Sequence, residues 1–283
     1  MKTIQDYLEN GAIDIAPFLS IVLNKSSAEL ILNNNYQLTS DEKSCIDSLV
    51  LQREKGVPFA YLSGSCGFYH LDFKVTPDTL IPRPETELLI DIALELSNVN
   101  KILKVLDLGT GSGIIAVTIK DKNPHWQVSA TDFSNKALEV ARSNATTKIE
   151  FLQGSWFEPV ANRSFDLIIS NPPYIEENDI YLDDLSFEPI CALMAGKDGL
   201  DDIRIIIDQA PKHLEKNGFL LLEHGHDQQD RIVELLKQKF NNIQTFKDYN
   251  NKDRAILAQY KYCLLYTSPS PRDRTRSRMP SSA

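Results

Sequence analysis

From Asn100 onward, apolar strand-like runs alternate with helix-periodic segments. The first of these runs closes on the glycine-rich turn Gly109-Thr110-Gly111-Ser112-Gly113. Together the two patterns predict an α/β fold with a Rossmann-like, seven-stranded, mainly parallel sheet covered by helices on both faces. Before that point the apolar spacing is helical, so a small N-terminal helical bundle is expected ahead of the sheet.

Residues 1–62 form the expected bundle. Tyr7-Leu8, Phe18-Leu19, Val22-Leu23, Leu30-Ile31 and Leu49-Val50 recur at helical spacing, and Thr39-Ser40-Asp41-Glu42 resembles a helix start. Nothing in this stretch suggests catalysis, which leaves packing or recognition as its use. Gly56-Val57-Pro58 breaks the pattern. Residues 63–80 place Phe68, Tyr69, Phe73 and Val75 between Gly67 and Pro77-Asp78, the pattern of a β-hairpin linker that packs against both neighbours.

The α/β domain is expected over 81–262. Pro82 and Pro84, followed by Glu85 and Glu87, lead into a helix carrying Leu88, Leu89, Ile92, Leu94 and Leu96; proline and acids suit a helix start. Strands are predicted near 102–108, 126–131, 148–153, 165–170, 218–223, 243–248 and 254–260. Helices are predicted near 113–121, 134–145, 201–216 and 227–240. The last two strands are joined only by residues 249–253, which calls for an antiparallel hairpin closing the sheet. Residues 263–283 turn to Ser, Pro and Arg without apolar periodicity; they are expected to be a disordered tail and are set apart from the fold as an artefact of cloning or sequence assembly.

A chain of 283 residues, 42% hydrophobic and 24% charged, has the composition of a soluble globular protein able to bury a full core. No run has the roughly 18 to 20 apolar residues that span a bilayer, and the start lacks a signal-peptide core, so a cytoplasmic protein without membrane association is expected. Cys45, Cys66, Cys191 and Cys263 are far apart, which suggests neither a zinc site nor a disulfide framework. The net charge is −9 even with a basic tail, an argument against stable, unspecific nucleic-acid binding.

The candidate chemistry lies at predicted strand ends, where open α/β sheets place ligands. Gly109, Gly111 and Gly113 let a ligand approach the backbone of a strand-to-helix turn. A dinucleotide fingerprint would put its third glycine at position 114, which is Ile114, so phosphate cradling is disfavoured. Asp132, about 20 residues further on and at the end of the next strand, suits ribose hydroxyls. Trp156 follows the third strand, where an adenine could stack on it, although a core role fits its composition equally well. A nucleoside without a pyrophosphate fits this set, with S-adenosylmethionine as the obvious candidate.

After the fourth strand comes Ser170-Asn171-Pro172-Pro173-Tyr174. The prolines donate no N–H, so the stretch offers acceptors with few competing donors. A planar NH2 group can give one hydrogen to the Asn171 side-chain oxygen and the other to the Pro172 carbonyl while Tyr174 packs on its plane. Alone, Asn-Pro-Pro could be a strand-ending turn. In order behind the glycine turn and Asp132, it fits a class I S-adenosylmethionine-dependent methyltransferase acting on a planar nitrogen.

With these motifs the chain resembles the PrmC/HemK family, the bacterial methyltransferases of a glutamine side chain in class 1 peptide-chain release factors. The resemblance also covers residues 81–87, Phe187-Glu188-Pro189, Leu222-Glu223-His224-Gly225 and the Asp248-Tyr249 to Arg254 ending, and extends over roughly residues 1–260. It implies cofactor contacts at Gly109, Thr110, Gly111, Ser112, Gly113, Asp132, Trp156 and Asn171. It further implies substrate contacts at Asn171, Pro172, Pro173 and Tyr174, with Asn171, Pro172 and Tyr174 as the catalytic group. A role for the N-terminal bundle in holding the release factor, and a monomeric enzyme, are also expected. Ser186 departs from the pattern, since many relatives would carry arginine there. The rival substrate is an exocyclic amine of adenine or guanine in RNA or DNA, which poses the same chemical problem. His224-Gly225-His226 lacks a third ligand nearby in the sequence, so no metal is expected.

Overall fold

The computed structural model describes residues 2–99 and 104–261. The tail expected over 263–283 lies outside the described residues, as does the beginning of the strand expected near 102–108.

Five short helices open the chain: α1 (Ile4–Glu9), α2 (Ile15–Leu23), α3 (Ser27–Leu32), α4 (Ser40–Glu54) and α5 (Phe59–Ser63). Capping boxes start α1, α3 and α4, where Thr3, Ser26 and Thr39 pair reciprocally with Asp6, Glu29 and Glu42. Helices this short need tertiary packing to persist. It comes from one apolar core containing Ile4, Tyr7, Ile15, Leu19, Leu30, Leu38 and Ile46.

The hairpin β1 (Ser65–Phe68) and β2 (Leu71–Lys74) follows in antiparallel register. Phe68 and Phe73 meet edge-on at 6.0 Å and join the core of the α/β region beside Leu89 and Ile90. They are therefore packing residues, and Phe73 lies away from the cavities described below. After a 3-10 turn at Pro84–Thr86, α6 (Glu87–Val99) lies across the same core.

The main sheet is built from β3 (Lys104–Leu108), β4 (Gln127–Asp132), β5 (Glu150–Gln153), β6 (Phe165–Ser170), β7 (Leu214–Glu223), β8 (Phe240–Lys247) and β9 (Asp253–Tyr260). Helices α7 (Ile114–Lys122), α8 (Asn135–Asn144), α9 (Tyr181–Asp184), α10 (Asp201–Gln209) and α11 (Gln229–Leu236) connect them. Spatial order is β5-β4-β3-β6-β7-β9-β8; β3 to β7 pair in parallel, and β9 runs antiparallel between β7 and β8. The two sheet faces bury separate cores, one under α6 and α7, the other under α10 and α11. Strand order reverses between β3 and β6, so the glycine turn and the asparagine motif emerge side by side at the switch point.

Several boundaries move. The helix expected over 201–216 ends at Gln209, because Pro211 cannot continue it, and a 3-10 turn at Ala210–Lys212 leads instead into β7. β7 thus starts at Leu214, earlier than the expected 218, and accommodates Asn217 at positive φ through an irregular register with β6. α11 is shorter than the expected 227–240, and Phe240 instead opens β8, buried at the edge of the core.

Candidate active site

Two cavities meet at the switch point. The first, about 390 Å³, is lined by Gly109, Gly111, Asp132, Trp156, Asn171 and Pro173 among others. The second, about 330 Å³, is lined by Arg83, Asn171, Pro172, Tyr174 and Tyr181 among others. Leu80, Asn171 and Ala192 belong to both.

On the first side, the glycine turn is tied to the neighbouring strand: the Gly109 and Thr110 amides both donate to the Thr131 carbonyl, at 2.9 and 3.0 Å. The Gly111 amide donates to Asp132 Oδ2 at 2.9 Å, and the Ser134 amide to Oδ1 at 2.9 Å. Burial pushes the Asp132 carboxyl up, opposed by these backbone donors. Each oxygen keeps a lone pair for a further donor such as a hydroxyl. Gly111 has φ +56°, and a Cβ built there meets nothing within 4 Å, so bare backbone faces the space a ligand would fill. Trp156 covers Gly109, its carbonyl accepts from Thr131 Oγ1 at 3.0 Å, and its indole N–H acts on the Asp202 carboxylate. An aromatic face, a paired carboxylate and bare backbone fit a nucleoside such as that of S-adenosylmethionine.

Not every residue singled out in the sequence lines this cavity. The Thr110 hydroxyl instead donates to buried Asp107 Oδ2 at 2.6 Å. The Ser112 carbonyl accepts from Asn144 Nδ2 at 2.9 Å, and Gly113 caps α7, where a Cβ would come within 3.1 Å of Ala141. These three shape the turn from behind. Asp107 also accepts from the Ala116 amide at 3.2 Å, its Oδ1 has no partner, and burial pushes its carboxyl up to about 7.

On the second side, Asn171 Nδ2 donates to Thr86 Oγ1 at 3.0 Å, leaving Oδ1 as the atom free to receive a donor. Downstream the motif is pinned. The Tyr174 and Ile175 amides both donate to the Leu193 carbonyl, and Gln228 Nε2 donates to the Tyr174 carbonyl at 2.9 Å. The Tyr174 hydroxyl donates to Glu223 Oε1 at 3.3 Å, and burial raises the phenol well above its ordinary range. Across the cavity, buried Glu188 accepts from the Ile81 amide at 3.0 Å and pairs with Arg83, which ties the segments around Ile81 and Phe187 together.

His224 is buried with Nδ1 against the Gly225 carbonyl at 2.7 Å, and burial pulls its pKa down. Thr86, Glu223, Asp202 and Cys191 were not among the expected site residues. Only Glu223, a carboxylate ending the apolar run Phe219-Leu220-Leu221-Leu222, carried a legible signal.

Family models match in two places: residues 5–64 fit the PrmC N-terminal domain and residues 86–184 the Methyltransferase small domain. The release factor glutamine methyltransferase of Coxiella burnetii is 40% identical over 252 residues, covering 87% of this chain and 91% of the relative. That of Vibrio cholerae is 42% identical over 261 residues, covering 89% and 91%. Among solved structures, the hMettl16 catalytic domain superposes with TM-score 0.55 at 17% identity, over 82% of this chain and 86% of that one. A T. thermophilus 16S rRNA N2 G1207 methyltransferase gives TM-score 0.53 at 18% identity, over 70% and 50%. At such identities the structural likeness speaks for the fold alone.

Proposed function

This chain belongs to the release factor glutamine methyltransferase family, and we propose that it transfers the methyl group of S-adenosylmethionine to the side-chain amide nitrogen, N5, of a glutamine in class 1 peptide-chain release factors. The observation that carries the assignment of roles is the meeting of two cavities at Asn171. One has the lining of a nucleoside site; the other has the acceptors an amide NH2 requires.

Bound S-adenosylmethionine supplies a sulfonium-activated methyl group. Gly109, Gly111, Asp132 and Trp156 hold it, with Thr110, Ser112 and Gly113 fixing the shape of the turn beneath. A glutamine amide nitrogen is a poor nucleophile because its lone pair is delocalised into the carbonyl. Asn171 Oδ1 and the Pro172 carbonyl accept its two hydrogens and so orient the lone pair toward the first cavity, with Pro173 closing the wall between. As positive charge develops on nitrogen, these acceptors and the Tyr174 ring stabilise it more than they did the neutral amide.

Around the second cavity Ile180, Tyr181 and Ile190 stand exposed, an apolar rim suited to a protein surface rather than to a phosphate backbone. The net charge of −9 points the same way, and favours the release factor over a nucleic-acid base. Among the described residues, no helix is long and apolar enough to cross a membrane.

The test is incubation with methyl-labelled S-adenosylmethionine and, in parallel, a bacterial release factor and ribosomal RNA, with the label located by mass spectrometry. Label on one release-factor glutamine, abolished by changing that glutamine, is expected. Label on RNA alone would transfer the assignment to base methylation.

A further inference from the structure

We propose that Gln228 is a positioning residue for methyl transfer: its one side-chain amide holds three loops together and so fixes where the motif from Asn171 to Tyr174 presents the Pro172 carbonyl. This rests on the glutamine-methylation reading above, in which that carbonyl accepts a substrate hydrogen.

The need for such a residue begins in the sequence. Pro172 and Pro173 have no N–H, so this part of the motif cannot anchor itself through its own amides. A backbone carbonyl stands where the chain on each side of it is held. On one side Ser170 is held in β6, paired with Leu108 of β3 and Leu222 of β7. On the other side the anchor is Tyr174, whose amide donates to the Leu193 carbonyl at 3.2 Å and whose carbonyl accepts from Gln228 Nε2 at 2.9 Å. The Tyr174 hydroxyl donates to Glu223 Oε1 at 3.3 Å, so residues at the end of β7 and the start of α11 grip this tyrosine at both ends.

Gln228 is buried, and every hydrogen of its amide is used. Nε2 gives its second hydrogen to the Gly199 carbonyl at 3.2 Å, and Oε1 accepts from the Gly225 amide at 2.9 Å. Turned over, Oε1 would face two carbonyl oxygens and the NH2 would face an N–H, so the partners admit one orientation. The residue's own backbone is fixed as α11 begins, its amide donating to the Gly225 carbonyl at 3.1 Å and its carbonyl accepting from the Ile232 amide at 3.1 Å. The close approach is built into the chain: Gly199 has φ +66°, and a Cβ there would lie 2.4 Å from the Tyr174 carbonyl oxygen and 2.6 Å from Gln228 Nε2. A residue without a side chain is what lets two carbonyls share one NH2 here. Gly199 also leads into α10, whose Asp202 lines the first cavity, so the same amide ties the substrate side of the site to the cofactor side. Gln228 lines neither cavity, and its effect on the reaction passes through the motif it holds.

The test measures kcat and KM for an intact release factor at saturating S-adenosylmethionine, cofactor Kd by calorimetry and stability by urea unfolding, for wild type, Gln228→Met and Gly225→Ala. Ser129→Ala serves as a control, because it removes a buried hydroxyl that bonds Glu150 at 2.9 Å and Arg163 at 2.8 Å and lines neither cavity. Gln228→Met keeps the length of the side chain and loses both donors and the acceptor. A misplacement of about 1 Å can cost about 10²-fold in rate, so kcat is expected to fall roughly ten- to hundredfold, with KM and cofactor Kd held within about twofold. Gly225→Ala, whose Cβ would come within 3.0 Å of Gln228 Oε1, pushes on the amide without removing it and is expected to lose kcat to a smaller degree. Ser129→Ala is expected to unfold at lower urea with normal kcat. A folded Gln228→Met enzyme with kcat within about threefold of wild type overturns the proposal. So does a kcat loss that Ser129→Ala shares, which would trace to lowered stability alone. Should Gln228→Met not fold, a Gly225→Ala enzyme with normal kcat overturns it instead. A wild-type enzyme that leaves the glutamine unmethylated refutes the functional assignment, a separate failure.

Discussion

Replacing Asn171 by alanine removes the one polar side chain, among the described residues, that lines both cavities. Two losses follow, and they differ in size. The acceptor for a substrate hydrogen disappears at the moment nitrogen becomes positive; by analogy with deleting one preorganised electrostatic partner of a transition state, kcat should fall about 10²–10³-fold, or ~2.7–4 kcal/mol. Thr86 Oγ1 also loses its donor, at a cost to folding of about 1 kcal/mol. Gly111, Asp132 and Trp156 are untouched, so cofactor affinity should weaken only modestly. Single-turnover methyl transfer to a release factor measures the first effect, calorimetry of S-adenosylmethionine the cofactor affinity, and urea unfolding the stability. A folded Asn171→Ala enzyme with kcat within about threefold of wild type would refute the reasoning, as would a loss residing entirely in cofactor affinity.

Gly111→Ala adds a methyl group into open space at φ +56°, so folding should lose only the left-handed penalty of about 1–2 kcal/mol while S-adenosylmethionine affinity, read by calorimetry, drops at least about tenfold; unchanged affinity would remove Gly111 from the cofactor cradle. Glu188→Ala breaks the pair with Arg83 and frees the Ile81 amide; because the Arg83 side chain is 33% exposed, the urea-unfolding cost should sit near or below the low end for buried pairs, about 2–3 kcal/mol, together with a raised KM for the release factor. Burial pushes the Asp107 carboxyl up from its ordinary 3.8 to about 7, so the native state holds its proton more tightly and stability is lost as pH rises between those values. Asp107→Asn should therefore gain on wild type in unfolding free energy from pH 4 to pH 8, by a few kcal/mol at most; a difference constant with pH would sink that assignment.

Local chemistry made some of this molecule legible from its sequence. Thr39 and Glu42 announce the start of α4 because both halves of a capping box lie within one turn. The glycine turn and Asn171 were legible because strand ends in a parallel sheet recur in fixed order and the ligand site follows the switch point. Thr86 was not. Its bond to Asn171 joins a 3-10 turn to the segment that follows β6, 85 residues away in the chain, and a single buried threonine leaves no periodic trace. Thr110 and Ser112 lie inside the motif, yet the Thr110 hydroxyl serves Asp107 and the Ser112 carbonyl accepts from Asn144 of α8, since spacing shows where a turn is but not which of its groups face outward.

The acceptor chemistry at Asn171 does not by itself choose a substrate, because an exocyclic amine on a base and a carboxamide present the same two hydrogens on a plane. Choice has to be exercised by what surrounds the second cavity. Two pieces of chain are candidates for that role: the helical bundle α1 to α5, and the segment around α9 that carries Ile180, Tyr181 and Phe187. They touch, for a Cβ on Gly56 after α4 would come within 3.3 Å of the Phe187 ring, and the Tyr61 hydroxyl of α5 donates to the Thr79 carbonyl at 2.7 Å, next to Leu80 in the wall shared by both cavities. Glu188, one residue beyond Phe187, then ties that loop to Ile81 and Arg83. A partner held by the bundle would thereby be referred, through these contacts, to the position of Asn171. On this argument a Phe187→Ala variant should methylate a short glutamine peptide almost normally while losing rate on the intact release factor; equal losses on both would mean that the bundle does not align the substrate.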